Sequence, residues 1–127
     1  MEEKPTSSAK VTNPEVPENF RSTISDFTKD LSHTFPEFHA QLNKWNDEAT
    51  SKEDFQELFV YCLNVYPQRF FDILNQNEEI FNDQTINTEF LPNIDLKQLY
   101  HCEGISEQTQ QTIWKYLQII LFVLVGT

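Results

Sequence analysis

Apolar residues fall at Phe20, Ile24, Phe27, Leu31, Phe35, Phe38, Leu42 and Trp45, at steps of 4, 3, 4, 4, 3, 4 and 3 residues. That period is one face of an α-helix. Pro36 lies inside the stripe, where it removes a backbone donor and crowds the preceding turn. The stripe therefore predicts a helix from about Asn19, taken as N-cap, to about His33, and a second helix starting at Pro36. The phase is kept across the proline, so one kinked helix fits the same pattern.

Polar residues Asn46 to Ala49 read as a link, and Thr50 with Glu53 as a capping box. The next helix carries Phe55, Leu58, Phe59, Cys62, Leu63, Val65 and Tyr66. It is expected to stop near Tyr66, because a residue before proline is pushed out of the α region. Pro67 then opens a helix over Gln68 to Asn75. An acidic turn from Asn77 to Phe81 follows, with Asn77 as cap and Glu78 and Glu79 where the helix dipole favours them. Residues Asn82 to Asn93 read as loop, with Phe90-Leu91-Pro92 as a buried, extended clamp. A short helix from about Asp95 to His101 ends at Gly104, read as the C′ residue. Ser106 caps the last helix, from about Glu107 to about Val125.

That last helix is amphipathic up to Gln118 and wholly apolar from Ile119 to Val125. A helix apolar on all sides is a core element or sits in lipid. Seven residues fall far short of the roughly 20 that span a bilayer, so burial in the core is expected. The pattern as a whole predicts an all-α fold: a compact bundle of about five to six helices, with a central apolar C-terminal helix.

Composition agrees. Eleven Phe, four Tyr and two Trp supply core area, and only two Gly in 127 residues argue against a barrel or a loop-rich fold. Residues 1–18 differ: Met1, Ala9, Val11 and Val16 are their only apolar side chains, and Pro5, Pro14 and Pro17 interrupt any helix. They are expected to be a disordered tail, dispensable for folding, before a single domain over 19–127. The formal charge is −11, from 20 acids against nine bases. Between Phe70 and Leu96 lie Asp72, Glu78, Glu79, Asp83, Glu89 and Asp95 with no base among them. Nucleic-acid binders cluster Lys and Arg, so direct binding of DNA or RNA is not expected. The six carboxylates are the candidate interaction face for a basic protein partner; the bland alternative is a solvated surface that keeps the chain soluble.

Three stretches resemble a known family: FRSTISDFTKDLSHTFPEF (Phe20 to Phe38), YPQRFFDILNQNEEIF (Tyr66 to Phe81) and TEFLPNIDLKQLYHCEGISEQTQQTIWKYLQIILFVLVG (Thr88 to Gly126). The family is encoded by large double-stranded DNA viruses of algae and protists, the phycodnavirus and mimivirus-like groups. FFDILNQNEEIF and IWKYLQ are the most specific pieces. The resemblance implies a viral origin and an intracellular setting, and no catalytic residue comes with it. The family continues past the segment matching Gly126, so it also implies a truncated member.

No constellation for chemistry emerges. His33, His39, His101, Cys62 and Cys102 show neither C-x-x-C nor H-x-x-x-H spacing, so no metal and no cofactor are expected. Cys62 lies on an apolar helix face between Phe59 and Tyr66 and reads as a small core residue. Cys102 adjoins Glu103, whose charge opposes thiolate formation. Two cysteines suit a reducing compartment, and MEEKPTSSAK carries no apolar leader, so an intracellular, non-secreted protein is expected. The paired carboxylates at Asp47/Glu48, Glu53/Asp54 and Glu78/Glu79 point apart on a helix. Asn75 to Ile86 lacks the Gly and Glu of a calcium loop, and Gly104 stands alone, without a phosphate-binding loop.

The leading expectation is a non-enzymatic helical module that works through protein contacts. The alternatives are a membrane-associated protein held by the C-terminal helix, an acidic mimic of nucleic acid, and a catalytic domain whose other residues lie outside this segment.

Overall fold

The computed structural model describes residues 15–126, and these are all-α. Helix α1 (Glu18–Thr34) is followed by a 3₁₀ turn (Pro36–Phe38), α2 (His39–Asn43) and a second 3₁₀ turn (Lys44–Asn46). Then come α3 (Lys52–Val65), a 3₁₀ turn (Tyr66–Arg69) and α4 (Phe70–Leu74). The short α5 (Glu79–Asn82) and α6 (Leu96–Tyr100) lead into α7 (Glu107–Val125). The expected acidic turn is thus a single helical turn, α5. One isolated antiparallel bridge, Leu91 with Ile94, closes the tight turn after the Phe90-Leu91-Pro92 clamp, in which Phe90 and Leu91 are fully buried.

Helix α1 packs on both α2 and α7. Its stripe supplies Phe20, Ile24, Phe27 and Leu31 to the core, and the stripe does break at Pro36: Phe35 leaves the helical region and the chain restarts as a 3₁₀ turn. Phe27 stacks on Tyr116 at 4.9 Å, and the Tyr116 hydroxyl donates to Asp30 at 2.7 Å. Phe20 meets Phe59 of α3 edge-on at 5.0 Å. Phe81, Tyr100 and Trp114 join α5, α6 and α7 in one aromatic cluster with centroid separations of 4.4 to 6.1 Å.

Several local expectations shift. Helix α1 starts at Glu18, with extended Pro17 as N-cap in place of Asn19; the Pro17 carbonyl accepts from the Phe20 and Arg21 amides. Val16 packs against the core, so the folded domain begins before residue 19. The rest of the expected tail, residues 1–14, lies outside the described residues. Ser51, not Thr50, caps α3 by accepting from the Asp54 amide at 3.1 Å, because the Thr50 hydroxyl is taken up by the Lys44 carbonyl. Tyr66 keeps α-region angles (φ −64°, ψ −44°) although Pro67 follows. Its side chain is fully buried against Phe90, and the chain relieves the proline ring by tightening to 3₁₀ winding. Gly104 is not the C′ residue of α6: its φ of +83° serves a separate turn in which the Ile105 amide returns to the Cys102 carbonyl.

The largest departure is in α7. Ile120, Leu121 and Leu124 are buried, but Phe122 is 52% and Val125 53% exposed. The all-apolar run covers the core with one side only. No helix among the described residues is long and apolar enough to cross a membrane.

Tyr66 carries an energetic defect. Its hydroxyl is buried and has no hydrogen-bond partner, the only such side-chain atom among the described residues. Burial pushes its pKa well above the ordinary tyrosine value. A buried, unsatisfied hydroxyl costs about 1–3 kcal/mol. Tyr66→Phe is therefore expected to raise stability by about 1 kcal/mol, read as an increased urea midpoint with unchanged slope. A loss of stability would show that the hydroxyl has a partner in solution.

Candidate functional site

The sequence of α4 and the turn after it builds one wall of a cleft. Helix α4 ends in a Schellman arrangement: the Asn77 amide bonds the Asp72 carbonyl at 2.8 Å and the Gln76 amide bonds the Ile73 carbonyl at 3.2 Å, with Gln76 at φ +51°. The Asn77 side chain then donates to the Asp72 carboxylate at 2.9 Å and accepts from the Glu79 amide at 3.2 Å, starting α5. This brings Asp72, Glu78 and Glu79 onto a cleft of about 600 Å³, with amide side chains around them and Gln111 and Trp114 of α7 opposite. Phe71, 71% exposed, stands on its rim.

A polar chain runs from the core to this cleft. Trp114 Nε1 donates to the Tyr100 hydroxyl at 3.1 Å, which donates to the Glu78 carboxylate at 2.6 Å. Burial first, then the bond to Glu78, push the Tyr100 pKa up to about 12. Asp72 pairs with Arg69 at 3.6 Å. The Glu79 carboxylate has no partner among the described residues.

The other three acids serve the 83–97 loop, and the organiser of that loop is Lys97. Only 9% exposed, its ammonium donates to the Asp83 carbonyl at 2.6 Å and the Ile86 carbonyl at 3.0 Å. Asp95 caps α6 by accepting from the Lys97 amide at 3.0 Å and also accepts from the Thr88 hydroxyl. Glu89 accepts from the Asn93 amide at 2.9 Å, supporting Asn93 at φ +68°, while the Glu89 carbonyl accepts from Tyr61 at 2.6 Å. Asp83 accepts from the Thr85 amide at 2.9 Å and hydroxyl at 2.7 Å. The candidate face thus divides: Asp72, Glu78 and Glu79 line the cleft, and Asp83, Glu89 and Asp95 hold a loop. Lys97 lies one residue past the base-free stretch, and its role depends on the chain folding back over it.

The Thr85 hydroxyl bond, then the Thr85 amide bond, hold the Asp83 carboxyl below the usual aspartate range. A depressed folded pKa means the contribution to stability is complete above the ordinary value and is lost as pH falls through the folded value. Thr85→Ala is expected to move the Asp83 titration upward, toward the ordinary aspartate range, in a carboxyl-carbon NMR titration. An unmoved titration would show that the loop bond is not formed.

One arrangement of nucleophile, base and orienter went unseen in the sequence. Ser32 Oγ lies 2.7 Å from His39 Nδ1, and His39 Nε2 lies 2.6 Å from the Asn43 amide nitrogen. His39 and Asn43 are four apart on α2, the only sequence trace of the trio. Ser32 is 7% exposed in the last turn of α1, so its hydroxyl is enclosed. The three clamp α1 to α2 across the Pro36 break. Both cysteines are free; Cys62 is fully buried, which pushes its thiol pKa far up, and Cys102 is half-buried. His101 donates to the Phe81 carbonyl at 2.8 Å. Among the described residues no three His, Cys, Asp or Glu side chains group as metal ligands. No family model, curated protein or solved structure matches the chain.

Proposed function

We propose that this chain is a non-enzymatic, helical protein-interaction module that engages a basic partner, working inside the cell in the large-virus setting its sequence resemblance implies. The observation that carries this reading is the gathering of Asp72, Glu78 and Glu79 on one open cleft, beside an exposed aromatic ring. Carboxylates of one sign gathered on an open cleft attract an approaching cation and raise its encounter rate. The formal charge of −11 steers in the same direction from farther away. The conjugate chemistry is a Lys or Arg side chain entering between the carboxylates.

Affinity capture with wild type and with the Glu78→Gln/Glu79→Gln variant, side by side, tests this. The glutamine amide oxygen that replaces the Glu78 carboxylate can still accept from Tyr100, so the fold is kept while charge is removed. The expected result is basic proteins held by wild type at low salt, released as salt rises, and lost from the variant. Identical partner lists would overturn the reading and leave a solvated acidic surface.

A further inference from the structure

The described residues leave four large hydrophobic side chains exposed: Phe71 at 71%, Leu74 at 38%, Phe122 at 52% and Val125 at 53%. They come from two helices that pack together, α4 and α7. Gln118 joins them: its side-chain amide donates to the Ile73 carbonyl at 3.2 Å and the Leu74 carbonyl at 3.1 Å. Phe122 and Val125 follow Gln118 at i+4 and i+7, and so lie on its face of α7. Gln111, seven residues before Gln118, lines the acidic cleft with Phe71. The apolar side chains therefore form a strip along the α4–α7 junction, with the carboxylates of Asp72, Glu78 and Glu79 at its Phe71 end. Lys115 is the single cation on this face of α7.

We infer that this strip seats an amphipathic helix of a basic partner protein, with apolar side chains on Phe71, Leu74, Phe122 and Val125 and Lys or Arg side chains reaching the cleft. The inference rests on the proposed interaction function and adds the surface and the shape of the ligand. Charge complementarity selects the occupant. An acidic or neutral helix gains nothing from the three carboxylates, an anionic lipid surface is repelled by them, and a second copy brings another −11. Spacing selects the shape. From Gln111, which lines the cleft with Phe71, to Val125 is about 21 Å of helix, so the strip matches one face of about four turns of a partner helix, with side chains at i, i+4, i+7, i+11 and i+14.

The test uses a fluorescent synthetic peptide with leucine on one helical face and lysine on the other. Two controls accompany it, one with glutamate in place of lysine and one with the leucines scrambled. Wild type is expected to bind the first peptide at least roughly tenfold more tightly than either control, and Phe71→Ser or Phe122→Ser to weaken that binding about tenfold. Circular dichroism and melting temperature of each variant confirm that the fold is kept; Phe71→Ser, at the more exposed position, serves if Phe122→Ser unfolds. Glu79→Gln is expected to flatten the salt dependence. Equal binding of the scrambled peptide, or binding untouched by both serine variants but lost with Glu78→Gln/Glu79→Gln, would overturn the strip and leave the proposed function standing. Binding indifferent to every substitution would overturn both. A dimer in sedimentation that Phe122→Ser abolishes would assign the strip to a second copy, and co-sedimentation with neutral phosphatidylcholine vesicles would assign it to a membrane; either result overturns the inference.

Discussion

Replacing Leu121 with Ala is expected to lower the unfolding free energy by roughly 2–5 kcal/mol, the range for a fully buried leucine. Phe122→Ala, one residue on, should cost less than this by at least about 1 kcal/mol, since surface changes are small and Ala is a better helix former than Phe. Leu121 is completely buried, and Phe122 is half exposed. Both sit in the same apolar run, turned about 100° apart on the helix. The pair therefore separates an α7 buried on every side from one that covers the core with a single face. Denaturation of both variants in urea, with slopes compared, decides it. Equal large losses would mean that Phe122 is covered in solution.

Lys97→Met is the second large effect, an expected loss of about 2–3 kcal/mol. Met keeps most of the buried stem and removes the ammonium. The Asp83 and Ile86 carbonyls, held by that ammonium at 2.6 and 3.0 Å, then lose a charged donor. Hydrogen bonds to a charged group contribute about 1.5–3 kcal/mol each, and water replaces part of that at the exposed Asp83 side. The loss should be local as well as global: amide hydrogen exchange should accelerate over residues 83–95 while the amides of α1 and α7 exchange as slowly as before, relative to global stability. A change below about 0.5 kcal/mol, the usual surface range, would show that Lys97 is an ordinary solvated side chain.

These two residues mark different kinds of legibility. The two longest helices are written in local spacing: the Phe20 to Leu31 stripe of α1, the Ser106 cap and the extent of α7 appear in the structure as the periodicity predicts them, whereas the stripe beyond Pro36 winds as 3₁₀ turns around the short α2. The misplaced caps miss by one or two residues: Ser51 takes the orphan amide of α3 in place of its polar neighbour Thr50, and α1 opens at Pro17 with no side-chain cap, in place of Asn19. The acidic stretch was legible as a run of charge but not as a surface. Whether a carboxylate faces solvent or accepts from a neighbouring amide depends on the turn it stands in, and Asp83, Glu89 and Asp95 are each used that way.

By itself, then, the sequence determined an all-α fold, its helices, its apolar stripes and its strong negative charge, since each depends on residues within a turn or two of one another. Only the tertiary structure decided which acids share a cleft, that Lys97 folds inward to hold the loop before it, that Ser32, His39 and Asn43 meet, and that Phe122 and Val125 stay uncovered. Those outcomes depend on where distant segments return. A helix's own pattern states which side chains are apolar, but only the position of its neighbours determines how many of them are covered.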